Sequence, residues 1–129
     1  EETTVRDPFA LGIALNRLRL LGYRIAIDDF GIGIATLKLL ADLPFTQMKV
    51  DKSFVSQMLA GNQRATICRS IIRLAKDLGM ECVAEGVETP AQCVALHALG
   101  CDIGQGYLWA PPEPIDVFLN AAPGRCGQE

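Results

Sequence analysis

The chain has 129 residues, half of them apolar and 21% charged, with a formal net charge of −3. That size fits one domain with a real core, and the charge balance offers no basic face for DNA or RNA. Nothing resembles a signal peptide, and Arg17, Arg19, Asp28 and Asp29 cut the longest apolar stretches well short of the roughly 18 to 20 residues of a membrane span.

The elements follow in order. Phe9 to Leu21 has helical spacing, with Phe9, Ile13, Leu18 and Leu21 near one face and Leu11, Leu15 and Leu20 widening the stripe. Asp7-Pro8 opens this helix and Gly22 closes it. Arg24 to Asp28 is a short, mostly apolar strand running into two acids. A glycine-rich stretch, Gly31-Ile32-Gly33, leads to a short helix around Thr36 to Ala41, which Pro44 ends. The cycle then repeats: strand Thr46 to Asp51, helical segments Ser53 to Leu59 and Arg64 to Leu78, and strand Glu81 to Ala84 ending at Glu85. Thr89-Pro90 caps a helix that stops at Gly100. Asp102 to Gln105 is a fourth strand, Ile115 to Asn120 a last helix, and 123–129 a loose tail.

Strands alternating with helices predict an α/β fold with a parallel sheet. Polar residues recur at the strand ends: Asp28 and Asp29, Lys49 and Asp51, Glu85 and Glu88, Gln105. That edge carries the site in (β/α)8 barrels and in open doubly wound sheets alike. Neighbouring side chains in a regular strand point to opposite faces, so two adjacent acids can serve one purpose only where the pleat breaks. Acids gathered together repel unless a cation joins them, and hard cations such as Mg²⁺ and Mn²⁺ require several oxygen ligands. A two-metal site of this kind suits phosphodiester hydrolysis. An Asp-Asp pair alone more often marks a solvated turn, and Lys49 with Asp51 also fits a plain strand-end salt bridge.

The remaining chemistry-bearing residues read more simply. Cys68, Cys82, Cys93, Cys101 and Cys126 are an odd set with no CxxC pair, which argues for reduced, buried thiols over disulfides or a zinc site. His97, the single histidine, falls in a helix away from the acids and is expected to be structural. Tyr107 and Trp109 are open to either a core or a base-stacking role.

DDFG at 28–31, KVDKSFV at 49–55, AEGVET at 84–89 and QGYLW at 105–109 resemble, in order, the downstream motifs of EAL domains, the bacterial phosphodiesterases that linearise cyclic di-GMP. The resemblance runs from Glu1 to about Phe118. It implies half of a TIM-like (β/α)8 barrel, with residues 1–122 as the C-terminal half of the domain. A complete barrel takes about 250 residues, so the N-terminal half would be a missing partner. It also implies two Mg²⁺ or Mn²⁺ ions, held here by Asp28, Asp29, Asp51 and Glu85. Lys49 would contact the attacking water and Glu85 would act as general base. Glu88 and Gln105 would line the pocket, and Glu1 would support the loop after DDFG. Cyclic di-GMP is the implied ligand, a homodimer is a possible assembly, and the compartment is cytoplasmic even where a parent protein is membrane-tethered. One departure stands out. The loop reads DDFGIGIATL, with Ile34, Ala35 and Thr36 where active relatives carry tyrosine and two serines, so Ala35 has no hydroxyl to offer Glu1. This leaves a catalytically impaired receptor or protein-interaction module as the alternative to a working phosphodiesterase.

Overall fold

The computed structural model of the chain describes residues 7–30 and 37–112. Its elements are α1 (Pro8–Leu20), β1 (Ala26–Phe30), α2 (Leu37–Asp42), β2 (Gln47–Val50), α3 (Lys52–Val55), α4 (Gln63–Asp77), β3 (Glu81–Glu85), α5 (Pro90–Leu99) and β4 (Ile103–Gln105). The four strands form one sheet in the order β1-β2-β3-β4, and every pairing is parallel. The expected α/β alternation is therefore present, as half of a barrel-like arrangement. The expected helix at 115–120, the tail and the boundary at 122 lie outside the described residues.

The sheet has two unlike faces because side chains alternate along each strand. Met48, Val50, Cys82 and Ala84 project to one side and are fully buried, joined there by Ile27 and Phe30. Against them pack Cys68, Ile71, Ile72 and Ala75 of α4, spaced three and four apart along one helical stripe. Burying each of the larger of these, Met48, Val50, Ile71 and Ile72, stabilises the fold by about 1.5–3 kcal/mol. The opposite face carries Gln47, Lys49, Glu81 and Glu85 around a buried Val83. Near its start, Arg24 bonds both carboxylate oxygens of Glu81 at 3.0 and 2.7 Å, and Gln47 donates to Glu81 at 2.7 Å.

Local chemistry sets the element ends. Asp7 caps α1, its Oδ1 accepting from the N–H groups of Phe9 and Ala10 at 3.0 and 3.1 Å. The apolar stripe expected on α1 is only partly covered among the described residues: Leu11 and Leu15 are half-buried, none of its side chains is fully buried, and Phe9 and Leu20 are 79% and 88% exposed. β1 begins two residues later than expected because the Thr46 hydroxyl accepts the Ile25 N–H at 2.8 Å, replacing a ladder bond there. It also runs on through both aspartates to Phe30. The helix expected over 53–59 is the short α3, after which Gln57 and Met58 bond three residues back in tighter turns.

Candidate active site

The break in pleat that two adjacent acids require is present, inside β1 and not beyond its end. Ile27 pairs with Met48 and Phe30 with Val50, so Asp28 and Asp29 together stand opposite Lys49. This is a β-bulge, one extra residue on β1. Asp29 accommodates it with φ of 50°, the one non-glycine residue with positive φ among those described. Aspartate tolerates that left-handed conformation better than most residues, and such strain concentrates at functional sites. Asp28 Oδ1 accepts the Asp29 N–H at 3.0 Å and helps hold the turn. Both acids are exposed between the buried Ile27 and Phe30.

The bulge brings Asp28 and Asp29 to Glu85, at the end of β3. One carboxylate oxygen of each of the three residues lies within 4.8 Å of those of the other two. Lys49 reaches into this group from the strand between, with Nζ 3.1 Å from Asp28 Oδ1 and an ion pair to Glu85 Oε1. Its side chain and that of Glu85 are each only 23% exposed. The Glu85 carboxylate raises the Lys49 pKa above its ordinary 10.5, with burial opposing and Asp28 adding. These contacts therefore stabilise the fold fully at neutral pH, and their contribution is lost as alkaline pH rises through the raised value.

Asp51 stands apart from these residues. It is not in the three-carboxylate group; it caps α3, its Oδ1 accepting the Ser53 N–H at 2.8 Å. Hydrogen bonding from Ser53 holds its carboxyl below the ordinary 3.8, against the effect of burial. A depressed folded pKa contributes stability above 3.8 that disappears as pH falls through the lowered value. Asp51→Ala should therefore lose about 1 kcal/mol at pH 7. In urea unfolding, the gap between wild type and variant should close below the ordinary value.

Gln105 registers directly with Glu85 at the end of the β3–β4 ladder and is exposed. Glu88 is also exposed, and its backbone N–H donates to Gln92 Oε1 at 2.9 Å. Glu1 and the loop residues Ile34, Ala35 and Thr36 lie outside the described residues. Tyr107 and Trp109 are 66% and 47% exposed, and the Trp109 ring lies against Gly104. His97 is exposed in the last turn of α5, and the four described cysteines are free, with Cys68 and Cys82 buried. A groove of about 450 Å³ along α4, lined by Thr66, Arg69, Ser70, Arg73, Leu74 and Asp77, is on the outer surface of a helix that covers the opposite face of the sheet.

Three supporting residues escaped sequence reading. Gln92, the one buried polar residue described, accepts the N–H groups of Glu88 and Thr89 through Oε1. The Thr-x-x-Gln capping box at 89–92 was the signal for it. Val87 is fully buried and stitched to the end of β4, its N–H donating to Gln105 O and its carbonyl accepting from Leu108 N, both at 3.0 Å. Gly106 lies flat against the Val87 backbone, leaving no room for a Cβ. Together they fix the loop that follows Glu85.

The EAL domain model matches residues 1–112. The cyclic di-GMP phosphodiesterase RocR of Pseudomonas aeruginosa is 44% identical over 110 residues, which cover 85% of this chain and 28% of RocR. The structure of the PaMucR phosphodiesterase in complex with c-di-GMP superposes with a TM-score of 0.77 at 39% identity, covering 88% of this chain and 46% of that one. The manganese and cyclic di-GMP complex of Klebsiella pneumoniae BlrP1 gives 0.72 at 34% identity, over 84% and 28%. The chain thus spans well under half the length of the curated relatives it matches. The family match over residues 1–112 and these superpositions agree, and the chain belongs to the EAL domain family.

Proposed function

We propose that this chain is the C-terminal half of an EAL domain that hydrolyses cyclic di-GMP to linear pGpG with Mg²⁺ or Mn²⁺. The observation that carries this reading is the bulge that turns Asp28 and Asp29 together toward Glu85. Three hard oxygen donors this close suit those cations, and cysteine and histidine play no part in the group. Asp28, Asp29 and Glu85 would hold the metal, which when bound supplies the positive charge that a phosphodiester in displacement requires. Asp51 supports the site from the α3 cap.

The chain's own residues account for the rest of the step. Water adds to phosphorus in line with the departing ribose 3′ oxygen, the P–O3′ bond breaks, and the linear product retains a 5′ phosphate. Glu85 accepts the proton that the attacking water loses, the departing 3′ oxygen takes a proton from solvent, Lys49 orients the attacking water, and Gln105 and Glu88 face the nucleotide at the rim. The exposed side chains of α1 and the edges that β1 and β4 form among the described residues are where the N-terminal half of a barrel would dock. Hard cations prefer about six oxygens, so the 129-residue chain by itself should bind metal weakly and yield no appreciable product.

The test is chromatography of pGpG formed by the full-length gene product, with Mg²⁺ and with Mn²⁺, beside the 129-residue chain. Turnover by the full-length protein alone supports the proposal. Tight dinucleotide binding without turnover favours a receptor, a reading that rests on Ile34, Ala35 and Thr36 in the loop after DDFG. Neither binding nor turnover would sink both and leave a protein-interaction module.

A further inference from the structure

Two of the three carboxylates already hold a cation, and it belongs to the chain. The Lys49 ammonium contacts Asp28 and Glu85, two of the three residues that would bind metal. It comes from β2, the strand between theirs, so the bulge and the lysine are two sides of one arrangement. Hard dications take carboxylate oxygens at about 2.0–2.6 Å, closer than the ammonium stands to Asp28. Oxygens engaged by a dication lose most of their attraction for the lysine, and two cations a few ångströms apart repel strongly where water is partly excluded.

The geometry points to Lys49 as an internal counter-ion that a divalent metal must displace, so that filling the site is an exchange of cations and not a simple addition. This rests on Asp28, Asp29 and Glu85 being the metal site. The lysine keeps the carboxylates together without metal-like affinity, sets a threshold for metal entry, and on displacement becomes free to orient the attacking water.

Mn²⁺ binding to the full-length protein, followed by calorimetry, tests this with Lys49→Met and Lys49→Gln against wild type. Both neutral variants should bind Mn²⁺ about tenfold more tightly, a modest fraction of the repulsion between close charges in a partly solvated site. Lys49→Arg, which keeps the charge, should gain nothing. A second readout uses wild-type protein alone: lysines are ¹³C-methylated reductively, the Lys49 resonance is assigned with Lys49→Arg, and Mg²⁺ is titrated in. The Lys49 signal should shift with saturation. Neutral variants that bind no more tightly, or a Lys49 resonance that stays fixed through saturation, overturn the inference while leaving the metal site standing. Wild-type protein that binds no Mn²⁺ at all overturns both.

Discussion

Asp29→Asn and Glu85→Gln are each expected to lower cyclic di-GMP turnover by the full-length protein by about a thousandfold, the scale seen when one preorganised charge-stabilising group is removed. Asparagine tolerates the left-handed conformation that Asp29 adopts, so the bulge should survive and only the negative charge is lost. Glutamine at 85 keeps its volume but can neither take a proton from water nor balance Lys49, which retains Asp28. Neither side chain is part of the apolar core, so circular dichroism and the unfolding midpoint should barely move. A variant retaining activity within tenfold of wild type would remove its residue from the chemistry.

Gly106→Ala should destabilise the chain by about 1–3 kcal/mol, an overpacking penalty, and loosen the loop beyond Glu85. The added methyl would fall onto the backbone nitrogen and oxygen of Val87. Those atoms cannot retreat easily, because one donates to Gln105 and the other accepts from Leu108. Gly86, at φ +69° against the Lys52 side chain, narrows the same loop from its other end. Urea unfolding measures the loss. An unchanged midpoint would mean that the loop yields freely and that the stitching through Val87 is weak.

The sheet was legible because apolar strands and helical stripes have different periods, and both survive in Met48 and Val50 or in Cys68, Ile71, Ile72 and Ala75. Glu85 was legible as a strand-end residue, whereas the bulge places Asp28 and Asp29 inside β1, since pairing with Met48 and Val50 is not written in the strand's own period. The cap made by Asp51 was not legible, since a residue two places after Lys49 suits a metal or a helix cap alike, and only the position of the Ser53 N–H shows that Oδ1 serves the cap. The start of β1 was misplaced because a side-chain hydroxyl, Thr46, stands in for a strand partner 21 residues away. Gln92 and Gly106 act through backbone groups of other segments, which periodicity does not register.

The bulge also bears on how such a strand changes by insertion and deletion. Ile27 and Phe30 keep their core partners although three steps on β1 match two on β2. One codon therefore accounts for the mismatch. A chain lacking that codon would pair Ile27 and Phe30 with the same neighbours in an unbroken pleat, and one aspartate would face Lys49 as an ordinary ion pair. Core and chemistry are in this sense written in separate reading: the apolar positions count by strand register, and the second carboxylate exists as the residue that register leaves over.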